Sequence, residues 1–419
     1  MCLADIMKGR FGVSRLHKAA LNVSVITALS LFGDSLLYPI LPLYAQQLGV
    51  PLVMVGVLLS INRWVRLLSN HTAARSFSRH SVYLPIVLAA VGATVSTGMY
   101  AFPIGILGFL VARMLWGVSF SHFRMGMYLI VLQTSQPVLG WALGLTRAIS
   151  RVGSTLIAIV GGYFVDRLGY HWTMLVLAVL TAIAIPLAFL LKHQLPSGSL
   201  EQDPKILAVP EIVTKLAGPT PLSTEFCCVG AFITHLVGSG LVTSSLSLLL
   251  QQTIGEGLRL GSSLTLGVAT VSGLVFSSNW LSAILLSSSA GRLSDLYGRT
   301  VPFVAATALQ GIALFSVATT PSPWLAVISS VCFFVLTNIQ RVFLDAALGD
   351  TTNRDNRNVT TAKYNSYQDF GAALGPLIGY AAFSLSGFSQ VYIIGALLLI
   401  LTASVPLVSM LRKPSPMAS

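Results

Sequence analysis

Twelve apolar runs of about 20 residues follow one another along this chain, and that is the length an α-helix needs to cross the hydrocarbon of a bilayer. They lie near residues 19–45, 52–74, 82–102, 104–132, 142–164, 172–191, 226–252, 262–290, 301–319, 323–348, 363–385 and 390–411. Only 9% of the residues are charged, too few to clothe a water-facing surface, which carries about 25% in soluble proteins. The expected surface therefore faces lipid. The net charge of +12 does not indicate nucleic acid, because the basic residues are scattered among apolar runs and form no basic domain. Cys2, Cys227, Cys228 and Cys332 have the spacing of neither a disulfide framework nor a zinc site, so no metal is expected.

The only long polar stretch, 192–225, divides the chain into a six-span half at 1–191, a cytoplasmic linker and a second six-span half at 226–419. Basic residues orient the spans. With both termini inside, sixteen of the 25 Lys and Arg fall in cytoplasmic segments and only Arg167 and Arg259 in outer loops. The halves also repeat one another. At an offset of 217, Asn62 matches Asn279, Ala74 matches Gly291, Ser78 matches Asp295 and Arg124 matches Arg341. At 218, Gly153 matches Gly371 and Gly161 matches Gly379; at 205, Gln46-Gln47 recurs as Gln251-Gln252. The second half has thus gained residues between its first two spans. The expected fold is an all-α membrane protein of twelve transmembrane helices in two pseudo-symmetric six-helix bundles.

Four segments carry a family resemblance. After span eight the chain reads Gly291-Arg-Leu-Ser-Asp295-Leu-Tyr-Gly298-Arg299, span one contains Asp34-Ser-Leu-Leu-Tyr-Pro39-Ile-Leu-Pro42, span four Arg113-Met-Leu-Trp-Gly117, and span eleven Gly371-Ala-Ala-Leu-Gly375-Pro376-Leu-Ile-Gly379. Together they resemble the major facilitator superfamily, most closely its twelve-span drug:proton antiporters. The resemblance implies rocking of two halves about a midplane site. It also implies a cytoplasmic latch formed by Gly291, Asp295, Gly298 and Arg299, and a gating role for Asp369, Gly375 and Pro376. The first half departs from the pattern, with Ala74, Ser78 and Ser81 in its loop and Ile157-Ala158 within span five.

Seven arginines lie inside expected spans: Arg63, Arg66, Arg113, Arg124, Arg147, Arg151 and Arg341. Each costs about 2.5–3.5 kcal/mol at a helix centre, so they cannot all face lipid. Helical spacing puts Thr27, Ser30, Asp34 and Tyr38 on one stripe, Arg63, Arg66 and Asn70 on another, and Arg113, Gly117, Ser121, Arg124 and Tyr128 on a third. Six of these arginines are in the first half, where Asp34 is the one intramembrane acid. An anionic ligand would supply the missing charge, since Arg binds carboxylate or phosphate through paired contacts.

The expected substrate contacts are Asn62, Arg63, Arg66, Arg124, Arg147, Arg151, Asn279, Arg341, Asn365 and Gln368, with Tyr38, Trp64 and Trp116 as apolar walls. Asp34 with Arg113 is the expected proton-coupling pair, and His235 is a second proton candidate. The resemblance further suggests that Arg66 meets Asp369 and that Arg151 faces Asn279. The expected protein is a monomeric, proton-coupled exporter of an amphipathic small molecule with acidic groups, in a bacterial-type inner membrane. It uses a proton gradient and no cofactor, and binds no nucleic acid. A dedicated exporter of an acidic metabolite such as a siderophore or metallophore, and a proton-driven importer, are the alternatives. A membrane-embedded enzyme or sensor is remote, because no H-E-x-x-H, paired intramembrane aspartates or nucleotide-binding loop is present, so no catalytic residue is assigned.

Overall fold

A computed structural model describes residues 3–132, 139–195, 222–255, 257–260, 264–352 and 357–411. Most of the expected linker, 196–221, lies outside these residues. Long helices occupy every expected span. Eleven of them, among the described residues, are long and apolar enough by composition to cross a membrane. The remaining one, Arg357–Ser386, has a polar first half and Pro376 in its second.

Spans one to five are Leu3–Tyr44, Leu52–Arg79, Tyr83–Tyr100, Gly105–Leu132 and Leu139–Leu168. Span six is stepped, Tyr170–Ala182 followed by Ala184–Gln194. Pro186 explains the step, because it has no N–H to offer the carbonyl of Ala182. Span seven is composite: α-helix at Thr224–Thr234, a wider π-helical segment at His235–Val242, then α-helix at Thr243–Ile254. Spans eight to twelve are Val268–Tyr297, Thr300–Thr319, Pro323–Thr351, Arg357–Ser386 and Phe388–Leu411.

Span eight starts later than the expected residue 262. The chain instead forms an antiparallel hairpin between spans seven and eight, Gly257–Leu260 against Leu264–Gly267, with Gly257 opposite Gly267 and Leu260 opposite Leu264. This is the insertion that raises the repeat offset from 205 to 217. It is the one departure from an all-helical chain among the described residues.

Two compact units emerge. The first comprises Met1–Leu37, Gln46–Val50 and Ile61–Val213; the second comprises Tyr38–Ala45, Pro51–Ser60 and Thr214–Ser419. Within the first, Ile26, Ala90, Ala93, Trp116, Phe123 and Ala188 form the core. Within the second, Cys227, Phe303, Ala306, Phe343 and Leu344 do the same.

Small residues hold spans together in the same way in both units. A side chain added at Gly153 would strike Ala28, and one at Gly161 would strike Leu36. In the second unit, Gly371 lies against Phe232 and Gly379 against Leu241. Leu36 and Leu241 are 205 apart and Gly161 and Gly379 are 218 apart, so the repeat read from sequence is also a repeat of packing. Close approach of helix backbones maximises dispersion contacts where lipid offers no hydrophobic drive.

Candidate functional site

Asp34 and Arg113 meet inside the first unit. Arg113 is fully buried, and its Nη1 donates to Asp34 Oδ1. Two neighbouring contacts set their depth. Thr97 of span three presses on Gly33, which leaves no room for a side chain there. Ser96, its neighbour, donates to the carbonyl of Ala112 at 2.8 Å. Ser35 adds a hydrogen bond to Ser154 of span five at 2.9 Å. A guanidinium removed from water needs a carboxylate at contact distance, so the packing of spans one, three and four and the ion pair depend on each other.

The other first-unit arginines are more accessible. Arg63 and Arg66 are half-buried, and the Arg66 guanidinium lies 5.2 Å from the ring centroid of Phe120. Arg124 and Arg151 are exposed. The Arg147 side chain lies outside the described residues. Asn62 is buried, and its backbone is the surface against which Gly117 packs. Trp116 is buried in the first unit's core, its ring 5.8 Å from that of Phe120. Tyr38 is also buried, while Trp64 is half-buried.

In the second unit Arg341 Nη2 donates to Ser239 Oγ, within the π-helical segment. Asn338 Nδ2 lies within hydrogen-bond distance of the Asn279 carbonyl at 2.6 Å, Asn279 Oδ1 at 2.9 Å and Ser282 Oγ at 3.0 Å. His235 Nδ1 lies 2.9 Å from the carbonyl of Ala231; a carbonyl only accepts, so the ring nitrogen donates. Tyr364 donates to Asp345 at 2.7 Å. Asn365 is exposed; Gln368 and Asp369 are half-buried.

The π-helical segment has a local cause. It contains Gly238 and Gly240, which weaken the α-helical preference, and Gly240 abuts Gly375 of span eleven. Thr243 Oγ1 donates to the Gly238 carbonyl at 2.7 Å, serving a group that the wider turn would otherwise strain. Such segments recur at functional positions in helices. On the other side of Gly375, Ser60 donates to the Ala373 carbonyl at 2.5 Å, and Gly56 sits against Pro376.

The expected latch differs from a loop. Gly291–Tyr297 is the last part of span eight, and the helix stops only at Gly298, whose φ of 75° suits glycine. Gly291 is not a packing glycine, since an added side chain there would meet nothing within 4 Å. Arg299 is the hub. It donates to Asp350 at 2.7 Å, to Asp295 at 2.5 Å and to Ser294 at 3.0 Å. The Asp350 hydrogen bond is the main reason that its already high pKa is raised further. Asp295 is largely exposed, whereas Asp350 is mostly covered.

Sequence reasoning missed Asp350, Asn338, Ser239 and the π-helical segment. The offset of 205 carries Asp34 onto Ser239 and could have singled it out. No group of three or more His, Cys, Asp or Glu able to hold a metal occurs among the described residues.

Comparison with known proteins adds three findings. The family model of the Major Facilitator Superfamily matches residues 23–273 and 263–419. The chain is 26% identical over 392 residues to multidrug resistance protein MdtG of Dickeya zeae, covering 90% of this chain and 91% of that one, and 25% identical over 378 residues to MdtG of Salmonella typhimurium, covering 86% and 88%. In fold it is similar to a bacterial homologue of the human lysosomal transporter Spinster, with a TM-score of 0.72, 14% identity and coverage of 96% and 99%. It is also similar to a POT family transporter solved with 5-aminolevulinic acid, with a TM-score of 0.73, 13% identity and coverage of 96% and 97%.

Proposed function

Because this chain belongs to the major facilitator superfamily and is a multi-pass membrane transporter rather than an enzyme, we propose that it is a proton-driven exporter working by alternating access, with Asp34 as the proton carrier. The buried Asp34–Arg113 pair carries this reading. The guanidinium of Arg113 occupies the carboxylate oxygen of Asp34. Proton uptake then requires the pair to open, which links protonation to conformation. MdtG relatives, named for multidrug resistance, support export of an amphipathic small molecule.

The substrate is proposed to carry acidic groups. Arg63, Arg66, Arg124 and Arg151 outnumber the acids of the first unit's spans, and Arg341 with Asn279, Asn365 and Gln368 offers further contacts in the second. Arg66 and Asp369 form the proposed gate pair, and Arg151 the proposed counterpart of Asn279. The protein works as a monomer in the bacterial inner membrane with cytoplasmic termini and needs no cofactor. The same arginine surplus favours, as a second reading, a dedicated exporter of one acidic metabolite.

Proteoliposomes with an imposed pH gradient, assayed against acidic and cationic compounds, test the proposal. Acidic compounds are expected to be moved and to compete with one another, and Asp34→Asn is expected to abolish gradient-driven movement. Undiminished movement in Asp34→Asn removes Asp34 from the mechanism. Undiminished movement of acidic compounds after charge reversal at both Arg63 and Arg151 removes the anionic substrate.

A further inference from the structure

Tyr100 ends span three with its side chain fully buried beside the ion pair. Its own helix aims it there. Ser96 bonds the residue before Arg113, and Thr97 touches the residue before Asp34. Tyr100 shares that helix face at i+4 and i+3 from them. Its ring stacks on Phe109, one turn from Arg113, with centroids 5.9 Å apart. The hydroxyl faces Ser96 and Arg113 but completes a hydrogen bond of good geometry to neither.

Two further buried oxygens within about two turns of the pair have no hydrogen-bond partner. They are Ser30 Oγ, on the stripe of Asp34, and Asn62 Oδ1, beside Gly117. Unsatisfied buried polar atoms are destabilising, so these three, on spans one, two and three, call for a reason. The guanidinium supplies one. It has five N–H donors and no acceptor, and it keeps its charge when Asp34 gains a proton. At that moment it needs neutral acceptors in place of a carboxylate.

We propose that Tyr100, assisted by Asn62 and Ser30, is a positioning residue that receives Arg113 when Asp34 binds its proton. The three unfilled oxygens are the second seat of the guanidinium. This rests on Asp34 being the proton carrier. The charged and titratable groups bearing on Tyr100 are Asp34 of span one, Arg113 of span four and Tyr170 of span six.

Infrared difference spectra of the full-length protein in lipid, recorded across pH, provide the test. The carboxylic acid C=O band that disappears in Asp34→Asn reports the protonation of Asp34 without any substrate. Removing an acceptor disfavours the state in which Arg113 is released, so Asp34 holds its proton less readily. Tyr100→Phe is expected to move the midpoint of that band toward acid by about one pH unit. Asn62→Ala, the second variant, is expected to move it the same way by less. Tyr392→Phe, which removes a buried hydroxyl in the second unit, is expected to leave it in place. An Asp34 band with the wild-type midpoint in both Tyr100→Phe and Asn62→Ala overturns this proposal alone, as does an equal shift in Tyr392→Phe. Absence of any Asp34-dependent band overturns the proton-carrier reading and this proposal with it.

Discussion

The two units share a packing plan and differ in where they keep their charges. In the first, an arginine and an aspartate are buried against each other, and the end of span two carries Ala74 and Ser78 in place of the Gly and Asp of the pattern. In the second, the repeat replaces Asp34 with Ser239 and Arg113 with Ser330, and Ser330 only bonds its own helix at Ala326. Ion pairs stand instead at the C-terminal end of span eight, where Arg299 joins Asp295 and Asp350. Duplicated bundles can therefore keep helix contacts while dividing tasks. A buried ion pair costs desolvation wherever it sits, so Asp34 and Arg113 hold their place only as long as each keeps the other.

The largest test of this contrast is Asp34→Ala. It leaves Arg113 buried without its carboxylate and is expected to destabilise the protein by about 3–5 kcal/mol in denaturant titrations. Ser239→Ala, its counterpart, removes one hydrogen bond from Arg341 and is expected to cost about 1–2 kcal/mol. Equal losses in the two variants would break the comparison.

A smaller effect sharpens the packing half of the argument. Gly375→Ala drives a methyl into the carbonyl of Leu236 and the backbone of Gly240, and about 1–3 kcal/mol is expected to be lost. Gly291→Ala meets open space within a helix and is expected to stabilise by about 0.5–1 kcal/mol, read as a raised melting temperature.

The smallest expected effect concerns the latch. Asp350→Asn weakens the more covered contact of Arg299 and is expected to cost about 1–2 kcal/mol. Asp295→Asn removes a salt-screened surface pair, with a loss of no more than about 1 kcal/mol that fades at high salt. A reversed order would assign the holding role to Asp295.

Much of this architecture could be read without coordinates. Span number, the duplication and the nearness of Asp34 to Arg113 follow from run length, a constant offset and the need of a buried guanidinium for a partner. The π-helical segment did not, because His235–Val242 is apolar at either helical pitch. Nor did the hairpin, because Leu258, Leu260, Leu264 and Leu266 extend the apolar pattern of span eight backward. Gly291 and Gly375 look alike in a motif, yet one faces open space and the other a helix backbone.

Sequence alone determined that the chain lives in lipid, that it doubles one six-helix plan, and that its charges are too few and too costly to be placed idly. Tertiary structure alone decided which glycines bear contact, that Trp116 fills the core, that Arg299 chooses Asp350 as well as Asp295, and that Tyr100 lies buried beside the ion pair. Periodicity records which face of a helix is polar or small, whereas the atom that meets that face belongs to a distant part of the chain and is known only once the helices have packed.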